Sequence, residues 1–152
     1  MPKKRQSNPM ETKVEMYWSV VTGKPCALPL AGSNISAGFP SPADDYMEKT
    51  MDLNEHLVRH PSATFFVRVS GDSMKDAGIH HGDLLVVDRS IEPVEGKVVI
   101  AVMNGELVVK RLIRRNGILF LAAENANYPP IEVRDELDFL IWGVVTHVIH
   151  EP

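Results

Sequence analysis

The stretch KVVIAVMNGELVVKRLIRRNGILFLAA, residues Lys97–Ala123, decides the fold of this 152-residue chain. It holds three apolar, β-branched runs, and the two junctions between them are the pairs Asn104-Gly105 and Asn116-Gly117. An Asn-Gly pair between apolar runs is a strong hairpin signal, because both positions of the tight turn need a positive φ. The stretch therefore predicts a three-stranded antiparallel meander with Lys110 on its central strand.

Further strand-like runs surround the meander, so the predicted fold is mainly β. The predicted strands are Thr64–Ser70, Asp83–Asp88, Lys97–Met103, Glu106–Ile113, Ile118–Ala123, Ile131–Val133 and Phe139–Ile149. One short helix is expected ahead of them. Asp52 and Glu55 have the spacing of a helix-capping pair, Leu53 and Leu57 share a helical face, and His60-Pro61 ends the element.

The first 37 residues have a different composition from the rest of the chain. They are interrupted by prolines and glycines, namely Pro2, Pro9, Gly23, Pro25, Pro29 and Gly32. Such a segment cannot hold the three helices of a helix-turn-helix domain. We predict a weakly ordered arm over residues 1–37, with short extended pieces at Met16–Val21 and Ala27–Leu30, and one β-rich domain over residues 38–152.

Charge and cysteine content limit the environment and the partners of the chain. The net charge is −4, although the N-terminal tip carries Lys3, Lys4 and Arg5. An acidic body argues against broad contact with DNA. The single cysteine, Cys26, excludes an intramolecular disulfide, and no stretch has the length and hydrophobicity of a membrane span or a signal peptide. We therefore expect a cytoplasmic protein with little direct DNA binding and no membrane association.

Ser73 and Lys110 are candidates for a nucleophile and its base. A serine hydroxyl needs a neighbouring group to take its proton, and lysine serves only when neutral, which requires burial. Strand alternation puts Lys110 and Arg111 on opposite faces, and both faces are largely apolar, so alternation does not decide which side chain points inward. A guanidinium stays protonated, so of the two only Lys110 can be a base. Each residue also has an ordinary explanation, as a turn serine and as a solvated strand lysine.

Other titratable residues give weaker signals. His80-His81 has no accompanying ligand set at metal-binding spacing and is predicted to lie in a surface loop, so we expect no metal and no cofactor. Four aspartates near predicted turns and strand ends are expected to cap or to be solvated. They are Asp72, Asp76, Asp83 and Asp88.

Several short blocks, in order and at matching spacing, resemble the LexA/UmuD family of self-cleaving bacterial proteins. They are Phe39–Tyr46 (FPSPADDY), Asp52–Asn54 (DLN), His60–Thr64 (HPSAT), Ser70–Met74 (SGDSM), Gly82–Asp88 (GDLLVVD) and Trp142–Val148 (WGVVTHV). The resemblance runs from about Gly38 to His147 and so covers most of the chain. It implies a compact, strongly bent β-sheet catalytic domain of the LexA/UmuD C-terminal type, with one short helix and an extended N-terminal arm.

The resemblance also implies roles for individual residues. Ser73 matches the family nucleophile and Lys110 matches the general base. The scissile peptide bond would be Ala37-Gly38, directly ahead of the FPSP run, so Cys26 is not the cleavage residue. The backbone amides of Asp72 and Ser73 are the expected donors to the oxyanion that forms on the attacked carbonyl.

The partners implied by the resemblance are proteins of the bacterial response to DNA damage. They are a second copy of the chain in a homodimer, the RecA filament on single-stranded DNA that stimulates cleavage, and an error-prone DNA polymerase subunit of the UmuC type. The alternative hypothesis is a non-catalytic binding module that regulates a DNA polymerase and keeps Ser73 and Lys110 without using them.

Overall fold

The computed structural model of the chain describes residues 10–21, 23, 27–31, 47–134 and 139–152. Over these ranges it contains ten strands, one α-helix and two single 3₁₀ turns. The strands are β1 (Lys13–Ser19), β2 (Ala27–Ala31), β3 (Met47–Asp52), β4 (Thr64–Ser70), β5 (Leu84–Asp88), β6 (Val98–Met103), β7 (Glu106–Arg115), β8 (Ile118–Ala122), β9 (Ile131–Glu132) and β10 (Phe139–Ile149), and the helix α1 spans Leu53–Leu57. The prediction of a mainly β fold with one short helix is confirmed.

The meander predicted from the two Asn-Gly pairs is formed by β6, β7 and β8. Asn104 and Gly105 have φ angles of 50° and 80°, and Asn116-Gly117 repeats this pattern with 51° and 77°. Such positive φ values are those that a two-residue hairpin turn requires. The residues on either side of the first turn, Met103 and Glu106, are register partners, and β7 is thereby paired along both of its edges.

A single strongly curved sheet forms the body of the molecule. Its strand order is β1-β4-β5-β10-β6-β7-β8-β9, and β1 also pairs with β7. Lys13 at the start of β1 lies opposite Ser70 of β4 and opposite Val108 of β7. This second pairing closes the sheet into a barrel, and β8 and β9 continue the sheet beyond β7. The expected strongly bent sheet is therefore confirmed.

The strand that closes the barrel comes from the predicted N-terminal arm. Residues 13–19 are part of the barrel wall rather than a loose extension, whereas β2 agrees closely with its predicted extended piece. The ring of Tyr17 packs on the wall, with its centroid 6.3 Å from that of Phe65 and 5.6 Å from that of Trp142. These ring contacts and the pairing with β4 together hold β1 in place. The division of the chain at Gly38 stays a prediction.

A small second sheet, the hairpin of β2 and β3, leads into the helix. Ala31 at the end of β2 is paired with Met47 at the start of β3. The side chain of Asp52 then caps α1 by accepting a hydrogen bond from the Asn54 amide at 2.9 Å. The predicted capping residue is thus confirmed, while β3 was not predicted because its sequence, MEKTMD, lacks the β-branched alternation of a strand.

Two clusters of buried apolar side chains form the core. Successive residues of the meander strands alternate between the two clusters. Ile100 and Val109 belong to the first cluster, while Val99, Val108 and Leu112 belong to the second. This is the two-faced alternation expected of strands that are covered on both sides. It explains why both faces of β7 are apolar in the sequence.

Candidate active site

Ser73 lies in the turn that follows β4. Gly71 begins this turn with a φ of +96°, which a residue with a side chain rarely adopts. A Cβ atom at Gly71 would also lie 2.3 Å from the backbone oxygen of Glu11, so only glycine allows the N-terminal segment to come this close. The side chains of Ser73 and Met74 are completely buried. Ser73 is therefore held in a closed environment.

The loop between β8 and β9 holds the Ser73 turn from outside through Asp72. The side-chain amide of Asn125 donates to the backbone oxygen of Asp72 at 3.0 Å, and the Tyr128 hydroxyl donates to the Asp72 carboxylate at 2.9 Å. One turn further on, the Asp76 amide donates to the Glu124 carbonyl at 2.8 Å. No local pattern in the sequence predicts this function of Tyr128, because the two residues of its contact are 56 positions apart in the chain.

The Tyr128 hydroxyl is electrostatically tied to its acceptor. Burial and the hydrogen bond to the Asp72 carboxylate, with the negative charges of Asp72 and Glu11, raise the pKa of Tyr128 well above its ordinary value. The phenol thus stays protonated under mildly alkaline conditions, and it continues to donate to Asp72.

Lys110 occupies the middle of β7 and only 2% of its side chain is exposed. Its register partner is Val99 of β6. Arg111 points to the other face, where its guanidinium pairs with Glu124 and donates to the Gly96 carbonyl at 2.7 Å. The structure thereby decides the question that alternation left open, since the buried cation of the pair is Lys110.

Residues of the N-terminal segment lie between Ser73 and Lys110. The Glu11 carboxylate forms an ion pair with the Lys110 ammonium, and the same carboxylate oxygen lies 3.5 Å from the Ser73 hydroxyl oxygen. The backbone amide of Thr12 donates to that hydroxyl oxygen at 2.8 Å. Glu11 and Thr12 were not predicted as site residues, because no local pattern in the sequence shows that this segment reaches β4 and β7.

The backbone of the same segment is paired on both sides. The Met10 carbonyl accepts a hydrogen bond from the Asp72 amide at 2.9 Å, and the Thr12 carbonyl accepts one from the Val109 amide at 3.0 Å. At the end of the segment the Lys13 ammonium pairs with the Glu106 carboxylate at 3.0 Å. Asp72, a predicted oxyanion donor, thus has its amide directed at a carbonyl oxygen of the segment that lies between Ser73 and Lys110.

Three of the histidines and aspartates singled out in the sequence, Asp83, Asp88 and His81, stabilise turns. The Asp83 carboxylate accepts from the His80 amide at 2.8 Å, and the Asp88 carboxylate accepts from the Ser90 amide at 2.8 Å. The His81 ring nitrogen accepts from the Gly71 amide at 3.3 Å. Within the described ranges, no three side chains of the metal-binding types come together in a possible metal site.

The predicted scissile bond lies outside the described residues, as do the basic tip and Cys26. The bond Ala37-Gly38 falls between β2 and β3 in the sequence. Its assignment as the scissile bond stays a prediction.

Among the described residues, no helix is long and apolar enough to cross a membrane.

Comparisons with known proteins agree with the resemblance seen in the sequence. Protein MucA of Salmonella typhimurium is 43% identical over 140 residues, which cover 91% of this chain and 95% of MucA. Protein SamA of the same species is 50% identical over 123 residues, covering 81% of this chain and 85% of SamA. The LexA repressor of Shewanella denitrificans is 41% identical over 106 residues, covering 70% of this chain and 51% of the repressor.

The family assignment rests on a match that extends over most of the barrel. A family model described as Peptidase S24-like matches residues 29–146, from β2 to within β10. Both Ser73 and Lys110 fall within the matched range. The chain belongs to the Peptidase S24-like family.

Proposed function

We propose that the chain is a serine endopeptidase that cleaves its own Ala37-Gly38 bond, with Ser73 as nucleophile and Lys110 as general base. One observation carries the proposal. A single carboxylate oxygen of Glu11 contacts both the Lys110 ammonium and, at 3.5 Å, the Ser73 hydroxyl oxygen. Because both groups contact the same oxygen, they lie side by side in the site, as a nucleophile and its base must.

The burial of Lys110 supports its role as a base. Only 2% of the Lys110 side chain is exposed, so the group that would take the serine proton lies out of contact with bulk water. A neutral amine has the lone pair that accepts the proton of the Ser73 hydroxyl. The burial of Lys110 therefore agrees with the proposed role.

The proposed reaction proceeds in two steps. The Ser73 oxygen attacks the Ala37 carbonyl carbon while Lys110 takes the hydroxyl proton. Lys110 then gives that proton to the leaving amine of Gly38, which leaves an ester between Ser73 and Ala37. Water, deprotonated by Lys110, hydrolyses the ester and restores the serine. The products are residues 1–37 and residues 38–152.

The negative oxygen that forms on Ala37 needs fixed donors, and we assign the amides of Asp72 and Ser73 to this role. The direction of the Asp72 amide supports the first assignment, because it donates to the Met10 carbonyl at 2.9 Å. Asn125 and Tyr128 fix Asp72 from the other side. The choice of Ala37-Gly38 rests on its position directly before the FPSP run, as the family resemblance implies.

Incubation at pH about 10 tests the proposed function, because a growing share of a lysine base is neutral there. The mass of the purified chain is measured before and after incubation. We expect two fragments, the larger beginning at Gly38, and no fragments from Ser73→Ala or Lys110→Ala. A wild-type chain that stays intact would favour the non-catalytic binding module. Continued cleavage at Ala37-Gly38 by Lys110→Ala would remove Lys110 from the role of base.

We also propose that the processed chain, residues 38–152, acts as a homodimeric accessory subunit of an error-prone, UmuC-type DNA polymerase after RecA-stimulated cleavage. The similarity to MucA and SamA over four fifths or more of this chain supports this assignment. A RecA filament on single-stranded DNA should accelerate cleavage of the wild-type chain near neutral pH, measured by gel electrophoresis. RecA without single-stranded DNA is the control. Equal rates with and without the filament would contradict the proposed stimulation.

A further inference from the structure

We propose that residues Met10–Lys13 are a built-in competitive inhibitor of the cleft between the Ser73 turn and Lys110 of β7, which binds them as an extended peptide. The inference rests on the proposed function but concerns a second ligand of the same site. It is carried by backbone pairing on both sides of the segment, a carboxylate placed between the two functional groups, and an amide bound to the nucleophile.

The backbone contacts of the segment are those of a peptide bound in a cleft. Asp72 on one side and Val109 on the other donate amide hydrogen bonds to carbonyls of the segment, at 2.9 and 3.0 Å. The Thr12 residue between them is fully buried. Any other extended segment that accepted hydrogen bonds from the Asp72 and Val109 amides would have to displace Met10–Lys13. Binding of the scissile segment and binding of Met10–Lys13 therefore exclude each other.

The Glu11 side chain acts directly on the proposed catalytic groups. Its carboxylate forms an ion pair with the buried Lys110 ammonium, so it occupies the group that would otherwise take the serine proton. Its oxygen also accepts the hydrogen bond that the Ser73 hydroxyl would otherwise direct toward a base. One carboxylate thus holds both groups in an inactive state.

The Thr12 amide binds the nucleophile in an orientation that is unsuited to attack. Its N–H donates to the Ser73 oxygen at 2.8 Å, and a hydrogen bond from an amide runs close to the plane of the peptide group. Attack on a carbonyl carbon comes from above or below that plane. The Glu11-Thr12 peptide is consequently held as an inhibitor rather than as a substrate.

One contact of the segment is unfavourable, and removing it should strengthen binding of the segment. Among the described residues, the buried Thr12 hydroxyl has no hydrogen-bond partner. An unpaired buried hydroxyl weakens binding of the segment, and an isosteric methyl group would not carry this cost. Thr12→Val should therefore tighten the inhibitory segment, while Glu11→Gln should loosen it.

Two measurements on the full-length chain test the inference. The first is the rate at which a fluorophosphonate probe labels Ser73, which requires an accessible serine and a competent base but no scissile bond. The second is the rate of self-cleavage. Glu11→Gln should raise both rates about tenfold or more, and Thr12→Val should lower both roughly three- to tenfold. Glu95→Gln, the same change at an exposed loop residue, is the matched control and should change neither rate.

The outcomes separate this inference from the proposed function. Equal labelling and cleavage rates in wild type, Glu11→Gln and Thr12→Val would overturn the inhibitory role and leave self-cleavage intact. Labelling rates that change as expected in a chain that never cleaves would support the inhibitory segment and contradict the proposed function. Circular dichroism of each variant shows whether a lost rate reflects unfolding instead.

Discussion

Asp72 connects the Ser73 turn to two distant parts of the chain by hydrogen bonds. Its amide donates to Met10, its carbonyl accepts from Asn125, and its carboxylate accepts from Tyr128. All three polar groups of one exposed residue are therefore engaged by segments distant in sequence. The turn that carries Ser73 is positioned by these bonds rather than by its own local conformation alone.

Asn125 is expected to be a positioning residue for the Ser73 turn. Asn125→Asp keeps the oxygen that accepts from the Asn127 amide at 3.1 Å but loses the amide group that donates to the Asp72 carbonyl. Because Asn125 is buried, we expect a loss of about 1–2 kcal/mol in the free energy of unfolding, measured with urea.

The same variant should slow self-cleavage at pH about 10 even at temperatures where it is fully folded. Asn127→Asp makes the identical change at an exposed neighbour and should alter neither quantity. If Asn125→Asp loses stability but cleaves at the wild-type rate when folded, Asn125 has a structural role only.

At the scale of single elements, β10 contains one position, Gly143, at which the neighbouring strand leaves no room for a side chain. A Cβ atom at Gly143 would lie 2.6 Å from the Cγ1 atom of Val87 on the paired strand β5. The strand has register shifts on both sides of this region. The close approach of β10 to β5 therefore depends on a residue without a side chain at position 143.

Gly143→Ala should destabilise the chain by about 1–3 kcal/mol through overpacking against Val87. The double variant Gly143→Ala/Val87→Ala should lose less stability than the sum of the two single losses, because the smaller side chain at position 87 leaves room for the new methyl group. Urea unfolding of the single and double variants measures this coupling. Gly23→Ala, where a Cβ atom meets nothing within 4 Å, is the control. Strictly additive losses would exclude the Val87 contact as the cause.

The elements that the sequence predicted best are those with local signals. The meander followed from two Asn-Gly pairs, and the capping function of Asp52 followed from its spacing to Glu55. The burial of Lys110 was also expected, since a strand paired on both edges and rich in valine is poorly hydrated.

The features that could not be predicted depend on contacts between distant segments. β1 closes the barrel by pairing with β4 and β7, and nothing within Lys13–Ser19 specifies those partners. Glu11 resembles any surface glutamate until the fold brings it against Lys110. Charge pairs of this kind become visible only when the closure of the sheet is known.

At the scale of the whole molecule, Asp88 links the entry of β4 to the exit of β5. Its carboxylate accepts from the His60 ring at 2.6 Å and from the Ser90 hydroxyl at 2.6 Å. Burial alone would raise the pKa of the Asp88 carboxyl, but the hydrogen bonds from Ser90 and His60 outweigh burial and hold that pKa below its ordinary value. The folded state thus favours the ionised carboxylate.

This shift makes the stability of the fold depend on acid pH. A depressed pKa stabilises the folded chain fully above the ordinary aspartate value of about 3.9, and the stabilisation is lost as the pH falls through the lower folded value. Asp88→Asn should be less stable by about 1–3 kcal/mol at pH 7. Its free energy of unfolding should also fall less steeply than that of wild type below about pH 5.

Urea unfolding at a series of pH values measures both effects. The matched control is Asp76→Asn, the same change at an exposed aspartate, which should leave the acid-side slope as in wild type. Parallel curves for wild type and Asp88→Asn would show that Asp88 does not carry the acid sensitivity.

The hairpin of β2 and β3 has a consequence for the timing of any signal that cleavage sends. The proposed bond Ala37-Gly38 lies between these two paired strands in the sequence, and β1 is paired within the barrel. Hydrolysis would convert contacts within one chain into contacts between two chains, whose effective concentration is no longer set by a tether. Release of residues 1–37 would then be a separate dissociation step that depends on dilution. Hydrolysis of the bond alone would not separate the two fragments.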